Sequence, residues 1–415
     1  KSTDSQLIMI SFRFRQKSGI KMESPETKKE GSLNFLLSKF EECDDYRDPI
    51  KIEYSLSEIL FLTFCALVSG SESYQEIVDF GDLKLNWLRK FSPYVNGIPS
   101  HDTVGRILSF LNTKQLEKAL TQFSSYGIEL ATGAIINIDG KWLGGSATIK
   151  EKQTKKRKGG RQAVNMVNVY CSRLNSCLGS IRVSSKTVEK SALSEILTLL
   201  DLSYCIITLD AGYCYQQTAQ QIVEAKADYV IGLKANQPKL LEAAQDLLKN
   251  CPATELHLDE EKDSHGRLEQ RSCKVLNFSN LDREYKDKYG ALFSKWVGLQ
   301  CLIMVVCHKV TKSNNKSSAE ARFYISSQQL MPKRANEIVR GHWHVENCLH
   351  WVLDVIFGED RSTKRSGDSA QNFSILRKMA FNKLKSFDDP KVSMKRRLRK
   401  CALDEEYMEK VLEIV

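Results

Sequence analysis

The sequence predicts an α/β protein in which a small all-helical domain precedes a domain built on a central sheet. Helical periodicity fills residues 33–126, and from Ala134 the pattern changes to short apolar strands that alternate with amphipathic helices. A β-rich stretch at about 253–327 then interrupts this alternation before helical periodicity returns at Pro332. These three changes of pattern along the chain determine the predicted fold class.

The first part of the chain is predicted to be a flexible leader followed by a helical domain. Residues 1–32 are polar and lack clear periodicity, whereas residues 33–126 contain several amphipathic segments. In one of these segments Ser100 supplies an N-cap. The apolar face behind this cap has helical spacing: Val104, Ile107, Leu108 and Leu111. Such a helix is consistent both with a DNA-reading helix-turn-helix and with three-helix packing that has no DNA role.

The second part of the chain, residues 134–385, has the element order of an RNase H-like fold. Three strands are followed by a helix, a strand, a helix, a strand and a helix. The predicted strands are 134–138, 166–172, 178–184, 205–209 and 229–233. The predicted helices carry Leu193 and Leu200, cover 216–225, and begin at Pro238.

The remaining segments are predicted to be an insertion, a helical stretch and a tail. Strands near 272–276, 296–309 and 321–326 indicate an inserted β-rich unit. From Pro332 one apolar stripe indicates a further helix. Residues 386–415 are predicted to form a basic C-terminal tail with a short helix.

Composition excludes several functional classes. The longest apolar run, 59–68, is about half of the roughly 20 residues that a membrane-spanning helix needs, so no membrane partner is expected. No signal peptide opens the chain, so the twelve cysteines are expected in a reducing compartment without disulfides. The nearest cysteine pairs are six residues apart, which does not fit the spacing of a structural zinc site.

The formal net charge of +10 is unevenly distributed. Lysine and arginine are concentrated in 150–161 and in 361–400. Such blocks are typical of proteins that bind a polyphosphate, because each phosphate contact releases counterions. A solvated basic loop and a solvated basic tail would give the same pattern.

Two aspartates follow apolar strands in the predicted sheet. Asp139 comes directly after 134–138, and Asp210 comes directly after 205–209. Ligands bind at strand ends in open α/β sheets, and two carboxylates that face one another repel unless cations lie between them. The alternative is that each aspartate is an ordinary turn or cap residue.

A third carboxylate is expected from the helix after Pro332, and Glu346 is the candidate. Two hard cations about 3.5–4 Å apart, held by such carboxylates, can support an in-line phosphoryl transfer. The alternatives are a solvated charge, or a His-Glu-His metal site made with His342 and His350. Trp343 is either a stacking platform for an unpaired base or a core residue.

Several separated motifs occur in order from about residue 33 to the C terminus: NGIPSHDTVGRI, INIDGKWLGGS, IITLDAGYCYQQTAQQIVEAKADYVIGLKANQPKL and HWHVENCLHWVLDVIFGEDRS. They resemble the DDE transposases of bacterial insertion sequences, in particular the H-repeat-associated branch. The resemblance implies an RNase H-like catalytic core with a β-rich insertion, and a helical transposase-associated domain before it. It implies that Asp139, Asp210 and Glu346 hold two Mg²⁺ ions, for which Mn²⁺ can substitute.

The resemblance and the basic blocks together indicate a DNA-binding set. Related transposases carry Tyr, Arg and Lys around the catalytic Glu, and this chain has Val339, His342 and Leu353 at those positions. Arg340, His342 and Lys364 are therefore candidate substitutes. The full predicted set is Lys141, Lys155, Lys156, Arg157, Lys158, Arg161, Lys234, Arg340, His342, Trp343 and Lys364.

The activity implied by the resemblance is metal-dependent cleavage at the ends of an insertion sequence, followed by strand transfer into target DNA. Because two ends must be paired, a homodimer on double-stranded DNA is expected, in the bacterial cytoplasm and associated with the nucleoid. The alternatives are a related nuclease that does not join DNA, and an inactive or domesticated protein that only binds it.

Overall fold

The computed structural model describes residues 32–126, 130–147, 163–183, 189–260, 262–264, 267–312 and 316–413. The predicted leader, apart from Ser32, and the basic block 150–161 lie outside these residues. The region before the sheet contains five α-helices: α1 Ser32–Glu41, α2 Leu56–Val68, α3 Tyr74–Leu88, α4 His101–Phe110 and α5 Thr113–Ser125. The predicted helical character of this region is confirmed.

Polar side chains set the starts of these helices, as the sequence predicts for Ser100. The Ser100 hydroxyl accepts a hydrogen bond from the Thr103 N–H at 3.3 Å at the start of α4. Ser73 and Glu76 form a reciprocal capping box at the start of α3. These contacts satisfy backbone donors that have no partner within the helix.

One sheet runs through the rest of the molecule. Its strands are β1 Ile135–Leu143, β2 Val164–Cys171, β3 Ser176–Val183, β4 Ile206–Leu209, β5 Asp228–Leu233, β6 Glu255–Leu258, β7 Lys262–Ser264, β8 Arg267–Asn277, β9 Cys301–Thr311 and β10 Lys316–Ser326. Their spatial order is β3-β2-β1-β4-β5-β10-β9-β8-β6, and β7 pairs with β8. Strands β1, β4 and β5 are mutually parallel, and the other pairings are antiparallel.

The remaining α-helices are α6 Glu189–Leu199, α7 Gln216–Glu224, α8 Pro238–Asn250, α9 Arg283–Phe293, α10 Pro332–His344, α11 Trp351–Val355, α12 Ser369–Ser386, α13 Met394–Leu403 and α14 Glu405–Leu412. A π-helical segment, Val345–His350, joins α10 to α11. Within the described ranges, no helix is both long enough and apolar enough to cross a membrane.

The β-rich stretch at 253–327 continues the central sheet. Strand β10 pairs with β5, with Phe323 opposite Leu233, and β9 and β8 follow outward. The stretch that the sequence indicates as an inserted unit is therefore part of the same hydrogen-bonded sheet as the first five strands. As a consequence, Arg322 on β10 lies beside the end of β5.

One buried hydrophobic cluster connects the helices before the sheet with the helices after it. Residues of α1–α5 share one buried cluster with residues of α12, α13 and α14. Helix α12 is buried along most of its length and contacts α2, α4, α5 and β3. The predicted tail contains two helices, and it packs through Leu398, Cys401, Met408 and Leu412, because both helices are amphipathic.

Candidate active site

Asp139 and Asp210 lie on adjacent parallel strands. Strand β1 continues through Asp139 to Leu143, because its pairing with β2 extends that far, so Asp139 is not at the strand end that the sequence predicts. Strand β4 does end next to it, since Leu209 is opposite Ile138. Asp210 follows directly and accepts a hydrogen bond from the Gly212 N–H at 2.9 Å. The two carboxylates therefore occupy neighbouring positions across the sheet.

The turn after Asp210 is held by the segment that follows β5. The Asn236 side-chain amide donates to the carbonyl oxygen of Ala211, and the Gln237 amide donates to that of Cys214, each at 2.8 Å. At Gly232 an added Cβ would lie 3.0 Å from the Ala211 nitrogen, so β5 requires a glycine to approach this closely. The two amides therefore fix the loop that carries Asp210.

Glu346 lies in the π-helical segment. On a regular α-helix, side chains four residues apart point in directions that differ by about 40°. Positions 342 and 354 are three such steps apart, so their side chains would differ in direction by about 120°. A π turn contains one additional residue, and this removes most of the difference in direction. His342, Glu346, His350 and Asp354 are thereby aligned along one side of the helix, and the three neighbours of Glu346 in this set contact the sheet.

The side chains that flank Glu346 bind polar groups of the sheet. His342 Nδ1 lies 2.9 Å from the Thr208 hydroxyl, which itself donates to Asn137 at 2.7 Å. His350 Nε2 lies 3.0 Å from the Asn168 side-chain nitrogen. Burial lowers the pKa of both imidazoles, to about 3 for His350. One nitrogen of each ring is therefore engaged by the sheet.

A cavity of about 610 Å³ lies between the ends of β4 and β5 and this helix. Asp139, Asp210 and Glu346 all line it. Lys234 and Arg322 line the same cavity and supply positive charge near the carboxylates. The structure thus brings together three acidic side chains that are far apart in the sequence, in a space that is open to solvent.

The donor chemistry of these three carboxylates fits a hard cation, since Mg²⁺ prefers oxygen ligands. Within the residues that the structure describes, no group of three or more His, Cys, Asp or Glu side chains is arranged so that it could hold a metal ion. The carboxylates therefore share a cavity without forming a closed coordination shell. Glu346 is exposed, which leaves its side chain free to change rotamer.

Trp343 and Arg322 form a stacked pair at the cavity wall. The Arg322 guanidinium carbon lies 4.5 Å from the centroid of the Trp343 ring. Arg322 also binds Glu320, with its Nε 2.9 Å from Oε1. The indole is partly exposed and is not a core residue. Cation–π stacking keeps the ring at the cavity.

Two lysines of the predicted DNA-binding set have buried intramolecular partners instead. Lys141 is 7% exposed and forms ion pairs with Asp354, Glu359 and Asp360. The Lys364 ammonium lies 3.9 Å from the centroid of the Phe373 ring, and burial lowers its pKa to about 7. Neither ammonium can reach a phosphate without losing these contacts.

The rest of the predicted DNA-binding set is distributed differently. Arg340 forms an ion pair with Asp259 at 3.2 Å, which ties α10 to the segment after β6. Lys234 is exposed, and His342 is half-buried and lines the cavity. The basic-loop residues fall outside the described part of the chain: Lys155, Lys156, Arg157, Lys158 and Arg161.

The basic block 361–400 divides into buried and exposed cations. Arg377 and Lys378 are buried, and Arg397 donates to the carbonyl oxygens of Leu384, Phe387, Asp389 and Val392. Arg361 and Arg365 are exposed before α12, and the other exposed cations cluster around the start of α13: Lys391, Lys395, Arg396 and Arg399. Some of the basic side chains that indicate a polyphosphate partner are therefore buried inside the protein instead.

Comparison with known proteins identifies the family of this site. Residues 133–383 match the family described as "Transposase DDE domain", and residues 37–124 match the one described as "DDE_Tnp_1-associated". The chain belongs to the DDE transposase family. The family predicted from the sequence motifs is thereby confirmed.

The relatives of this transposase-family chain include full-length bacterial proteins. "Putative transposase YncI" of Escherichia coli O157:H7 is 36% identical over 387 residues, covering 92% of this chain and 95% of that protein. "H repeat-associated putative transposase YhhI" of Escherichia coli K12 is 32% identical over 386 residues, covering 92% and 98%. "Inactive transposase YbfQ" of the same strain is 42% identical over 77 residues, 19% of this chain and 92% of that protein.

One solved structure that partly matches this chain is the "Cryo-EM structure of piggyBac transposase synaptic complex with hairpin DNA (SNHP)". It superposes on this chain with a TM-score of 0.44 at 12% identity. The match covers 92% of this chain and 77% of that one. A similarity at this level supports no conclusion about this chain.

Sequence reasoning missed the polar residues behind the carboxylates. Thr208, Asn137 and Asn168 lie inside apolar strands, and all three are at most 2% exposed. A polar residue inside a buried strand is costly unless it finds a partner. That cost is the signal in the sequence that could have identified them.

Proposed function

We propose that the chain is a DNA transposase whose catalytic core, about residues 134–385, is RNase H-like and follows a helical domain at 33–126. It would cleave the ends of an insertion sequence and join them to target DNA in the bacterial cytoplasm. The observation that carries this proposal is the shared cavity of Asp139, Asp210 and Glu346 at one sheet edge. Membership of the transposase family supports it.

The three carboxylates are proposed to hold two Mg²⁺ ions, for which Mn²⁺ can substitute. Such ions, when bound, activate the attacking oxygen and stabilise the leaving one. Asp139 lies on β1 and Asp210 directly follows the adjacent strand β4, so these two carboxylates would need little rearrangement to bind the ions. Glu346 is exposed in the π-helical segment, and we propose that it turns toward them when DNA and metal bind.

Double-stranded DNA is the proposed partner, as element ends and as target. Lys234 and Arg322 would contact phosphates at the cavity, and Arg340 would do so beside it. The exposed cations around α13 and the basic loop would contribute the sequence-independent part of the affinity, because neutralised phosphates release counterions. Pairing of two ends would require a homodimer on DNA.

A joining assay tests this function directly. The protein, precut element ends and supercoiled target DNA are incubated with Mg²⁺, and the products are separated on a gel. We expect cleavage of uncut ends and covalent joining of precut ends. Cleavage without joining would favour a nuclease, and binding without either reaction would favour an inactive, transposase-derived DNA-binding protein.

Trp343 is proposed to stack on an unpaired base near the cleaved end. Changing Trp343→Ala should weaken binding of a precut end by about 1–3 kcal/mol, since base–aromatic stacking is of this size, whereas Trp343→Phe should keep most of the affinity. The measurement is quenching of a fluorescent base analogue placed at the end. Trp351→Ala, at an exposed tryptophan on α11 outside the cavity lining, is the control. Equal effects at both tryptophans would exclude the stacking role.

A further inference from the structure

We propose that His350 is a positioning residue that restrains the Asp139 carboxylate through an Nδ1–H group, in the neutral tautomer selected by Asn168. His350 Nδ1 lies 3.8 Å from Asp139 Oδ2, a distance of electrostatic contact longer than a hydrogen bond. The other carboxylate oxygen, Oδ1, accepts from the Gly140 N–H at 2.9 Å. With the proton on Nδ1, each oxygen of Asp139 faces a donor. This inference rests on the proposed metal-binding role of Asp139.

Behind His350, three strands contribute one cross-strand row of polar residues. Asp139 on β1 is opposite Asn168 on β2, and Asn168 is opposite Ser180 on β3. Asn168 and Ser180 are almost completely buried, at 0% and 1% exposure. The Ser180 hydroxyl lies 2.8 Å from Asn168 Oδ1, and Asn168 Nδ2 lies 3.0 Å from His350 Nε2. The hydrogen-bonded row therefore runs from the edge strand β3 to the His350 ring, which faces Asp139.

The direction of these hydrogen bonds determines which ring nitrogen carries the proton. With the amide nitrogen of Asn168 toward His350, Nε2 must accept, and the proton lies on Nδ1 and points at Asp139. Turning the amide over also satisfies Ser180, because a hydroxyl can donate or accept. That arrangement would place the proton on Nε2 and a lone pair of Nδ1 against a carboxylate oxygen. The first arrangement is favoured because it avoids this repulsion.

This arrangement differs from simple filling of buried space. For a side chain that only packs, exchanging the Asn168 amide for a carboxylate of the same shape would cost stability through the buried charge, but it would not change which nitrogen of His350 carries the proton. In the proposed network that exchange removes the amide donor to Nε2. The ring must then protonate Nε2, which either turns a lone pair toward Asp139 or places a positive charge beside it. Either outcome opposes cation binding at Asp139.

The tautomer can be measured on the unmodified protein. Histidine-selective ¹⁵N labelling with long-range ¹H–¹⁵N correlation distinguishes a ring protonated at Nδ1 from one protonated at Nε2, and His350→Gln assigns the signal. We expect a neutral ring with the proton on Nδ1. A neutral ring protonated on Nε2, or a doubly protonated ring at neutral pH, would overturn the proposal. The position of the proton is read on the unmodified protein, and the variant serves only to assign the signal.

The positioning effect is measured through Mn²⁺ binding, followed by electron paramagnetic resonance of the free ion. Loss of a group that orients a metal ligand typically weakens affinity by about 10–100-fold. We expect this range for Asn168→Asp and His350→Ala, whereas His344→Ala, at an exposed position on α10, should change Kd by less than about twofold. Affinity for element-end DNA without metal should be unchanged in all three variants, which also verifies their folding.

Asp139→Asn separates the two levels of the proposal. If it abolishes the Mn²⁺ site while His350→Ala and Asn168→Asp bind Mn²⁺ as the unmodified protein does, the positioning role is excluded and the proposed function stands. If the unmodified protein has no Mn²⁺ site that depends on Asp139 even with element-end DNA bound, the proposed function fails, and this inference fails with it.

Discussion

Replacing Asp139 with asparagine is expected to abolish DNA cleavage in Mg²⁺ while leaving binding to element ends nearly intact. Asp139 lies on β1 beside the end of β4, and it lines the same cavity as Asp210 and Glu346. The amide keeps the size of the side chain and loses the charge that would hold a cation. Loss of several kcal/mol of transition-state stabilisation corresponds to about a 10³-fold slower reaction.

The measurement compares single-turnover cleavage with end binding for the same variant. Affinity should change by less than about threefold, because removing a negative charge from a DNA-facing cavity does not weaken phosphate contacts. Asp287→Asn, at a side chain that is 76% exposed on α9, is the matched control and should cleave normally. Parallel loss of binding and cleavage would mean that Asp139 is needed for the fold instead of the chemistry.

The sequence singles out these three carboxylates as candidates because each follows a strong local pattern. Asp139 and Asp210 come after apolar runs, and Glu346 lies in a helix with a clear apolar stripe. The position of Asp139 within its strand was not predictable in the same way. It depends on how far β2 pairs with β1, and that pairing is between residues about 30 positions apart.

The alignment of Glu346 with its neighbours also depends on structure that periodicity does not reveal. A period of 3.6 residues predicts that His342 and Asp354 drift to different sides of the helix. The π-helical segment removes that drift, and the contacts with Thr208 and Lys141 accompany it. A single extra residue in one turn changes which side chains lie on the same face of the helix, and the composition of the helix does not reveal it.

Charge was an unreliable guide to which basic side chains are free of internal partners. Lys141 and Lys364 are basic residues in or near the motifs that resemble the transposase family, yet both ammonium groups are buried against internal partners. The sequence records the sign of a side chain but not whether a distant carboxylate or ring neutralises it. For Lys141 the decisive partner is Glu359, which is more than 200 positions away.

Glu359 is the centre of a buried ion network, and its neutralisation should cost much of the stability of the fold. Glu359 is 1% exposed, with Oε2 3.2 Å from the Lys141 ammonium and Oε1 2.7 Å from the Ser374 hydroxyl. Lys378, also buried, lies 4.0 Å away. Changing Glu359→Gln leaves two buried ammonium groups short of a counter-charge. Breaking a buried pair in this way typically costs about 3–5 kcal/mol.

Urea unfolding at neutral pH gives the loss in unfolding free energy, and Glu405→Gln is the control. Glu405 pairs with Lys84 at 3.0 Å on the surface and is 45% exposed, so its loss should cost less than about 1 kcal/mol. Similar losses for the two variants would show that the network around Glu359 contributes no more than a surface ion pair.

The pH dependence of the same measurement tests the electrostatic origin of this loss. Burial alone would raise the pKa of Glu359, but Lys378, Lys141 and Arg377 outweigh burial and hold it at about 2, below the ordinary value of 4.5. A lowered folded-state pKa contributes stability that is fully present above about pH 4.5 and is lost as the pH falls toward 2. The difference between the unmodified protein and Glu359→Gln should therefore shrink over that interval. A difference that stays constant from pH 7 to pH 3 would mean that the variant is destabilised by packing, without a contribution from the charge of Glu359.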